Sequence, residues 1–222
     1  MSEKTIYHHL LEIFGTQPNP VVLEFGAHMG QDTIQMLRLL RAPRMYIFEP
    51  DPRNLQIIKA RNILAYAYLT EAAVGAAEGE ATFYQSSGVP PWDPNAPPGA
   101  WAGSSSLRKP KDHLTIEPWC KFDHSIKVKV VTLDGFCQKM GLTQVDFIWA
   151  DVQGAEGDVV RGAPNTFRNT RYFYVEYANR EVYEGQVSLT TLLSLLPGTW
   201  EIVHDFGGDV LLKNATLAAS RP

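Results

Sequence analysis

The sequence predicts an α/β fold: a doubly wound, Rossmann-like sheet of about seven strands, the last of them antiparallel. Three observations predict it. An apolar run, Val21 to Phe25, breaks into a glycine-bounded turn, Gly26 to Gly30, and a helical pattern follows. A second apolar run ends in Phe48-Glu49-Pro50-Asp51-Pro52. Strand-like and helix-like segments then alternate up to a final β-β pair, which adds an antiparallel strand to a parallel sheet. In such sheets ligands sit outside the carboxyl ends of the strands.

Taken in order, Ile6, Leu10 and Ile13 are spaced for an amphipathic helix within residues 1–19. Val21 to Phe25 is almost wholly apolar, as a parallel strand covered on both faces should be. Ile34, Leu37 and Leu40 recur at helical spacing until Ala42-Pro43, and Met45 to Phe48 is a second buried strand. Asp51-Pro52 reads as an N-cap with proline at the first helical position, turning Leu55 and Ile58 inward. A third strand is expected over Ala67 to Val74 and a short β segment over Gly79 to Gln85. Residues 86–120 change character. Pro90, Pro91, Pro94, Pro97, Pro98 and Pro110 stand there with Trp92, Trp101 and Ser104-Ser105-Ser106, too irregular for a helix and too long for an ordinary connection. The expectation is an insertion or lid over an acceptor site.

Lys127 to Val131 alternates like a strand. Leu133, Phe136, Cys137 and Met140 then mark a helix that Gly141 stops. Val145 to Ala150 is another buried strand, followed by a helix over Ala155 to Gly162 before Pro164. Tyr172 to Tyr177, Trp200 to His204 and Asp209 to Leu212 are the remaining strands. Ser188 caps a helix whose Leu189, Leu192, Leu193 and Leu196 form a core-facing stripe. Trp149 and Trp200 lie inside strands and read as core.

The 222 residues suit a single domain spanning 1–222. A net charge of −4 with no long basic run argues against a nucleic-acid partner. No apolar run approaches the ~20 residues that span a bilayer, and the first residues lack a signal-peptide pattern. Cys120 and Cys137 fit neither C-x-x-C nor a metal spacing and read as free buried thiols. A cytoplasmic protein without a membrane partner is expected.

The form of the first turn selects the ligand. A dinucleotide turn wants G-x-G-x-x-G, in which the middle glycine admits the pyrophosphate. Here Ala27, His28 and Met29 separate Gly26 from Gly30, and a side chain at position 28 would crowd a pyrophosphate. S-adenosylmethionine has none, and Glu24 beside the turn complements its cationic end. Glu49, 23 positions after Gly26, stands near the ~20-residue offset at which an acid binds ribose hydroxyls. Asp151 ends a strand expected beside the first one. It can approach a methyl donor, hold a metal, act as general base on an acceptor hydroxyl, or cap the next helix. Glu156 reads as support for that helix N-terminus.

With these residues in place the chain resembles the FkbM-type S-adenosylmethionine-dependent methyltransferases. The resemblance runs through L-E-F-G-A-H-M-G, F-E-P-D-P, A-A-V-G-A-A-E-G-E-A-T-F-Y, G-S-S-S-L, V-T-L-D-G-F and D-V-Q-G-A-E, most of Val21 to Glu176. It implies a class I methyltransferase sheet and O-methylation of a sugar, glycan or natural-product hydroxyl. It also implies Ala73 and Val74 near the adenine, with Ser105 and Ser106 by the cofactor or acceptor. Glu24, Gly26, Ala27, His28, Gly30, Glu49, Pro50, Ala73, Val74, Ser105 and Asp151 are thus the expected cofactor residues. Trp92, Trp101, Ser106, Gln153, Glu176 and His204 are expected at the acceptor, the indoles packing on apolar sugar faces. Asp151 is the first choice of catalytic base and His28 the second. A divalent metal, if used, would fall to Asp151 and Glu176.

Two positions depart from the family pattern. Asn usually stands where His28 does, and Glu where Gln153 does, and Gln153 cannot act as a base or an anionic metal ligand. Other classes remain open from the residues. A nicotinamide-dependent sugar oxidoreductase lacks its middle glycine here, and a silent cofactor-binding module would not need both Glu49 and Asp151. A base-flipping methyltransferase usually carries a D/N-P-P-Y/F strand end, which Asp151-Val152-Gln153-Gly154 is not. The residues name no particular acceptor and fix no oligomeric state.

Overall fold

The computed structural model describes residues 4–97 and 99–218. Its seven-stranded sheet alternates side chains to two covered faces. The strands are β1 (Val21–Phe25), β2 (Arg44–Phe48), β3 (Ala67–Thr70), β7 (Val145–Ala150), β8 (Thr170–Glu176), β9 (Trp200–Asp205) and β10 (Asp209–Asn214), in the order β3-β2-β1-β7-β8-β10-β9. All neighbours are parallel except β10, which runs antiparallel to both β8 and β9. This is the expected class I arrangement, with the last strand inserted antiparallel. Leu23, Phe25, Phe48, Ile148 and Phe173 point to one core, and Val22, Ile47, Phe147 and Trp149 to the other. That alternation explains the unbroken apolar runs, since neither face meets water.

The second core is covered by α1 (Ile6–Phe14), α2 (Gln31–Leu39), α3 (Pro52–Ala60) and a 3-10 turn over Asn62–Ala65. The first is covered by α5 (Leu133–Met140), α6 (Glu156–Arg161), α7 (Pro164–Arg168) and α8 (Leu189–Leu195), with Leu192 and Leu196 buried in it. Between them in sequence, α4 (His113–Ile116) is a single turn inside the 86–120 segment, and α9 (Ala215–Ala218) follows β10. The caps are local chemistry: the Asp51 side chain accepts from Arg53 N–H, Thr132 from Gly135 N–H and Ser188 from Thr191 N–H.

Three expectations are corrected. Ala67 to Val74 is two strands, because Ala72 N–H turns back onto the Thr70 carbonyl, which also accepts from Glu49 N–H. The chain therefore leaves the large sheet at Thr70, and β4 (Ala73–Val74) joins β5 (Gly79–Ser87) and β6 (Lys121–Val131) in a smaller sheet of order β4-β6-β5. β6 starts six residues before Lys127, paired with β5 back to Ser87–Lys121, where exposure leaves no apolar alternation to read. Pro164 does not merely end a helix; it opens α7, whose Asn165 and Thr166 N–H groups donate to Asp134.

One buried ion pair fastens the amino ends of three strands. Asp146 Oδ1 accepts from Arg171 at 2.8 Å and Oδ2 accepts from Val21 N–H at 2.9 Å, joining β7, β8 and β1. Arg171 also donates to Gln17 and lies over the Phe14 ring, tying down the end of α1. Burial acts to raise the Asp146 carboxyl, but the bonds from Gln17, Val21 and Arg171 outweigh it and hold it low. Its stabilisation is therefore present above the ordinary carboxylate range and lost as pH falls through the lower folded value. Asp146→Ala is expected to cost about 2–4 kcal/mol in urea unfolding at pH 7, because it strands the Arg171 charge. The deficit should shrink at pH 3; an unchanged midpoint at pH 7 would show the pair to be idle.

Candidate active site

The site begins where β1 and β7 end side by side, at the point where strand order reverses. Gly26 has φ +76, and a Cβ there would stand 1.8 Å from the Asp151 carbonyl oxygen. Only glycine lets the two chains leave the sheet this close together. Gly30 serves a different need: a Cβ would strike Ile63 at 2.4 Å, so this glycine seats the start of α2 on its neighbour. His28 between them adopts φ +49, a region where Asn, Asp and His are the tolerated non-glycine residues. That left-handed turn aims His28 N–H at Glu49 Oε2, 2.8 Å away.

Glu49 closes β2 and is held from three sides, its Oε1 accepting from Asp51 N–H at 2.8 Å and Asn54 Nδ2 at 3.3 Å. Burial pushes its carboxyl up to about 7 despite these bonds. Asp51 engages Arg53 through both carboxylate oxygens, and Arg53 Nη1 donates to the Ser86 carbonyl at the root of the 86–120 segment. Ser105 completes that root: its Oγ accepts from Ser86 N–H at 2.9 Å and Arg53 Nη2 at 3.3 Å.

These groups open onto a cavity of about 580 Å3, within the usual range for ligand sites. Its lining includes apolar Phe48, Ala73, Val74, Phe83 and Leu107, the acids Asp32, Glu49, Asp151 and Glu176, and Trp101, Ser104, His113, Arg180 and Tyr183. The floor is a carboxyl pair. Gln153 Nε2 donates to Asp151 Oδ1 and to Glu176 Oε2, both at 2.8 Å, and Gln153 Oε1 accepts from Tyr183 O–H at 2.9 Å. Asp151 presents its carboxylate to the cavity and stays accessible there, and desolvation by the surrounding protein raises it. Burial and then the Asp151 charge drive Glu176 well above its usual range, so Glu176 keeps the proton and Asp151 is the readier to ionise. Burial lowers the His28 imidazole, leaving it neutral at pH 7.

The cavity thus gathers Gly26, His28, Glu49, Pro50, Ala73, Val74, Trp101, Ser105, Asp151, Gln153 and Glu176. Other expected site residues stand elsewhere. Glu24 is buried behind the turn, accepting from Thr33 Oγ1 at 2.6 Å, and Ala27 and Gly30 pack beneath it. Ser106 spends its hydroxyl on the Gln153 carbonyl at 2.6 Å, which fixes the loop rather than facing a ligand. His204 stacks on His9 and Phe206, away from the cavity lining. Trp92 is 64% exposed, outside the cavity. Asp151 does not cap a helix, since α6 starts only at Glu156, whose carboxylate accepts from Val152 and Gly154 N–H. Cys120 and Cys137 are buried free thiols.

Several lining residues escaped the sequence reading, among them Asp32, Tyr183, His113 and Arg180. Asp32 sits in the first turn of α2 and accepts from Tyr7 O–H; an acid at a helix start beside the turn was its only signal. Tyr183, His113 and Arg180 come from segments without periodicity, where backbone bonds join the 109–113 stretch to 182–184.

Ala73, Val74 and Phe83 offer apolar surface suited to a flat purine, Glu49 an acceptor for sugar hydroxyls and Asp32 an anion for an amine, so these residues fit S-adenosylmethionine. Among the described residues no group of three or more His, Cys, Asp or Glu is placed to hold a metal ion. Fold and site together define a class I methyltransferase. Residues 24–207 match the methyltransferase FkbM domain, and the chain belongs to that family. A relative, 2-O-methyltransferase NoeI of Sinorhizobium fredii (strain NBRC 101917 / NGR234), is 39% identical over 206 residues, covering 90% of this chain and 82% of its own. Among solved structures, precorrin-6y C5,15-methyltransferase from Geobacter metallireducens aligns over 96% of this chain and 86% of its own at 11% identity and TM-score 0.46. An rRNA methylase from Streptococcus thermophilus aligns over 96% and 98% at 9% identity and TM-score 0.47.

Burial raises Glu24 to about 8, Glu49 and Glu156 to about 7 and Asp209 to about 6. A raised acid binds its proton more tightly folded than unfolded, so stability falls as pH rises from the unfolded value, ~4, to the folded one. The ligand-free protein should therefore lose thermal stability steadily between pH 5 and pH 8, and Glu24→Gln should flatten the upper part of that slope. A melting temperature that rises over this window would contradict the buried-acid account.

Proposed function

We propose that this chain transfers a methyl group from S-adenosylmethionine to a hydroxyl of a sugar, glycan or natural-product acceptor, with Asp151 as general base. The observation that carries the reading is the position of Asp151: it directly follows β7 with its backbone against Gly26, and it lines the one cavity that also holds Glu49, Ala73 and Val74 together with Trp101, Glu176 and Tyr183. The relative's name, 2-O-methyltransferase, supports oxygen as the atom modified. Net charge −4 and the acidic lining favour a neutral acceptor over a nucleic acid, whose phosphates need neutralising. Among the described residues no helix is long and apolar enough to cross a membrane.

Bound S-adenosylmethionine supplies a methyl group on a cationic sulfur, a strong electrophile toward a hydroxyl oxygen. The protein's share is binding, alignment and one proton. Glu49 would hold the ribose hydroxyls, Asp32 the amino end, and Ala73, Val74 and Phe83 the adenine, all of them residues of the cavity lining. Trp101 and the 86–120 segment exclude water, and holding the hydroxyl in line can supply up to ~7–11 kcal/mol of the barrier. Asp151 takes the hydroxyl proton as the oxygen gains its methyl. Glu176, already protonated, leaves Asp151 the only acceptor of that pair, and Gln153 fixes its orientation. His28, neutral and on the cavity wall, is the second candidate for the proton.

Two substitutions separate binding from chemistry. Asp151→Asn should lower turnover of labelled methyl donor by ~10²–10⁴-fold while calorimetric affinity for S-adenosylhomocysteine changes little. Glu49→Ala should do the reverse first, weakening that affinity by about tenfold or more. Wild-type turnover in Asp151→Asn would remove Asp151 as the base, and binding of NAD in place of S-adenosylhomocysteine would remove the whole reading.

A further inference from the structure

The 86–120 segment holds three tryptophans that pack on one another at the rim of the cavity. Trp92 and Trp101 have ring centroids 5.4 Å apart, Trp92 and Trp119 5.1 Å, and Trp101 and Trp119 5.6 Å, each pair crossing edge to face. Trp101 is the inner member. It lines the cavity, its ring lies 5.9 Å from His28, and its Nε1 donates to Ser104 Oγ at 2.9 Å. Gly103 makes room for it, since a Cβ there would meet the indole at 2.6 Å. Trp119 is fixed through its carbonyl, which crowds Gly88 so closely that a Cβ would stand 2.2 Å away at φ +119. Trp92 is the outer member and 64% exposed, in a loop braced by turns from Asp93 N–H to Pro90 and Ala96 N–H to Asp93.

Trp92 packs one edge on Trp101 and Trp119 but leaves most of its indole in water on a proline-stiffened loop, and such exposed aromatic surface continuous with two further indoles marks a contact site. We infer that Trp92, Trp101 and Trp119 form a second sugar-binding subsite outside the cavity, so that the acceptor is an oligosaccharide whose neighbouring unit rests on this corner. The inference depends on the O-methyl transfer proposed above. Indole surface suits the C–H faces of a sugar ring, and exposed Asp93 and Asn95 beside Trp92 offer partners for its hydroxyls. Charge decides against the other apolar occupant: residues 86–107 carry one charged side chain, Asp93, and Trp119 is flanked by Glu117 and Lys121 of opposite sign. Arg108, Lys109 and Lys111 are paired with Asp158, Glu184 and Glu181, so among the described residues no cluster of free cations meets an anionic lipid surface. The corner is also continuous with the cavity through Trp101, which lines the cavity and packs against Trp92, so a chain of sugars leaving the cavity passes Trp101 on its way to Trp92. The loop is stiffened beforehand, which lowers the ordering cost of holding that second unit.

The test applies the full chain, with methyl-labelled S-adenosylmethionine, to a printed array of single sugars and oligosaccharides, comparing wild type, Trp92→Ala and Trp92→Tyr. Label should fall on oligosaccharides. Trp92→Ala should reduce the ratio of oligosaccharide to single-sugar labelling by about tenfold, with Trp92→Tyr restoring most of it and melting temperatures unchanged. An unchanged ratio, or label on single sugars alone, overturns the subsite and leaves the methyl transfer standing. No label on any saccharide, with S-adenosylhomocysteine still bound, overturns the subsite and the sugar and glycan reading of the acceptor together. Sedimentation showing a wild-type dimer that Trp92→Ala dissociates would assign the corner to a second copy instead.

Discussion

The contact between Gly26 and the Asp151 carbonyl sets the geometry on which the site depends. Two parallel strands, β1 and β7, end at the same level and diverge, and the space between their exits is the crevice a ligand can enter. A side chain at position 26 would force the exits apart by pushing on backbone, which has no rotamer to escape into. Everything downstream inherits this closeness. Glu49 reaches the crevice because β2 pairs with β1 one strand over, and Glu176 because β8 pairs with β7 on the other side. The Asp146–Arg171 pair at the opposite end keeps three of these strands in register, so the carboxyl ends stay level.

A second consequence is electrostatic. Bringing strand ends together gathers acids: burial raises Asp151, Glu176, Asp209 and Glu156, and the Asp151 charge pushes the other three up further. Such a cluster costs stability in the empty protein and is relieved by a cation. A sulfonium ligand with an amino group supplies that relief, whereas a pyrophosphate would add to the repulsion. The preference for methyl donor over dinucleotide thus rests on charge as well as on the steric argument from position 28.

Much of this was legible in the chain. Strands β1, β2 and β7 are buried on both faces, so their apolar runs have sharp ends, and the caps at Asp51, Thr132 and Ser188 use short-range chemistry that spacing reveals. What was not legible depends on contacts remote in sequence. The break at Glu71-Ala72 follows from where β2 stops, and the start of β6 from the length of β5, facts absent from either segment alone. The site divides the same way. Residues at strand ends were readable because topology carries them to the crevice. Ser106 and His204 were misplaced because a polar residue near a motif can equally well serve the backbone or a neighbouring ring. Tyr183 and Arg180 were missed because the loop that delivers them has no period.

The two departures from the family pattern differ in physical kind. Position 28 needs a residue that accepts positive φ while its N–H serves Glu49, and Asn and His both meet that need. Replacing one by the other leaves the backbone task intact and adds an imidazole to the wall. Position 153 also has positive φ, +53, but its side chain is committed at both ends, with donors to two carboxyls and its oxygen to Tyr183. A glutamate there would place a third acid between Asp151 and Glu176 and turn the Tyr183 bond into one to a carboxylate. Such a floor must gather a cation or more protons to be stable. The amide removes that requirement by supplying the donors itself. In this chain the proton on Glu176 and the amide of Gln153 together do what a charge would have to do, with Asp151 beside them on the cavity wall.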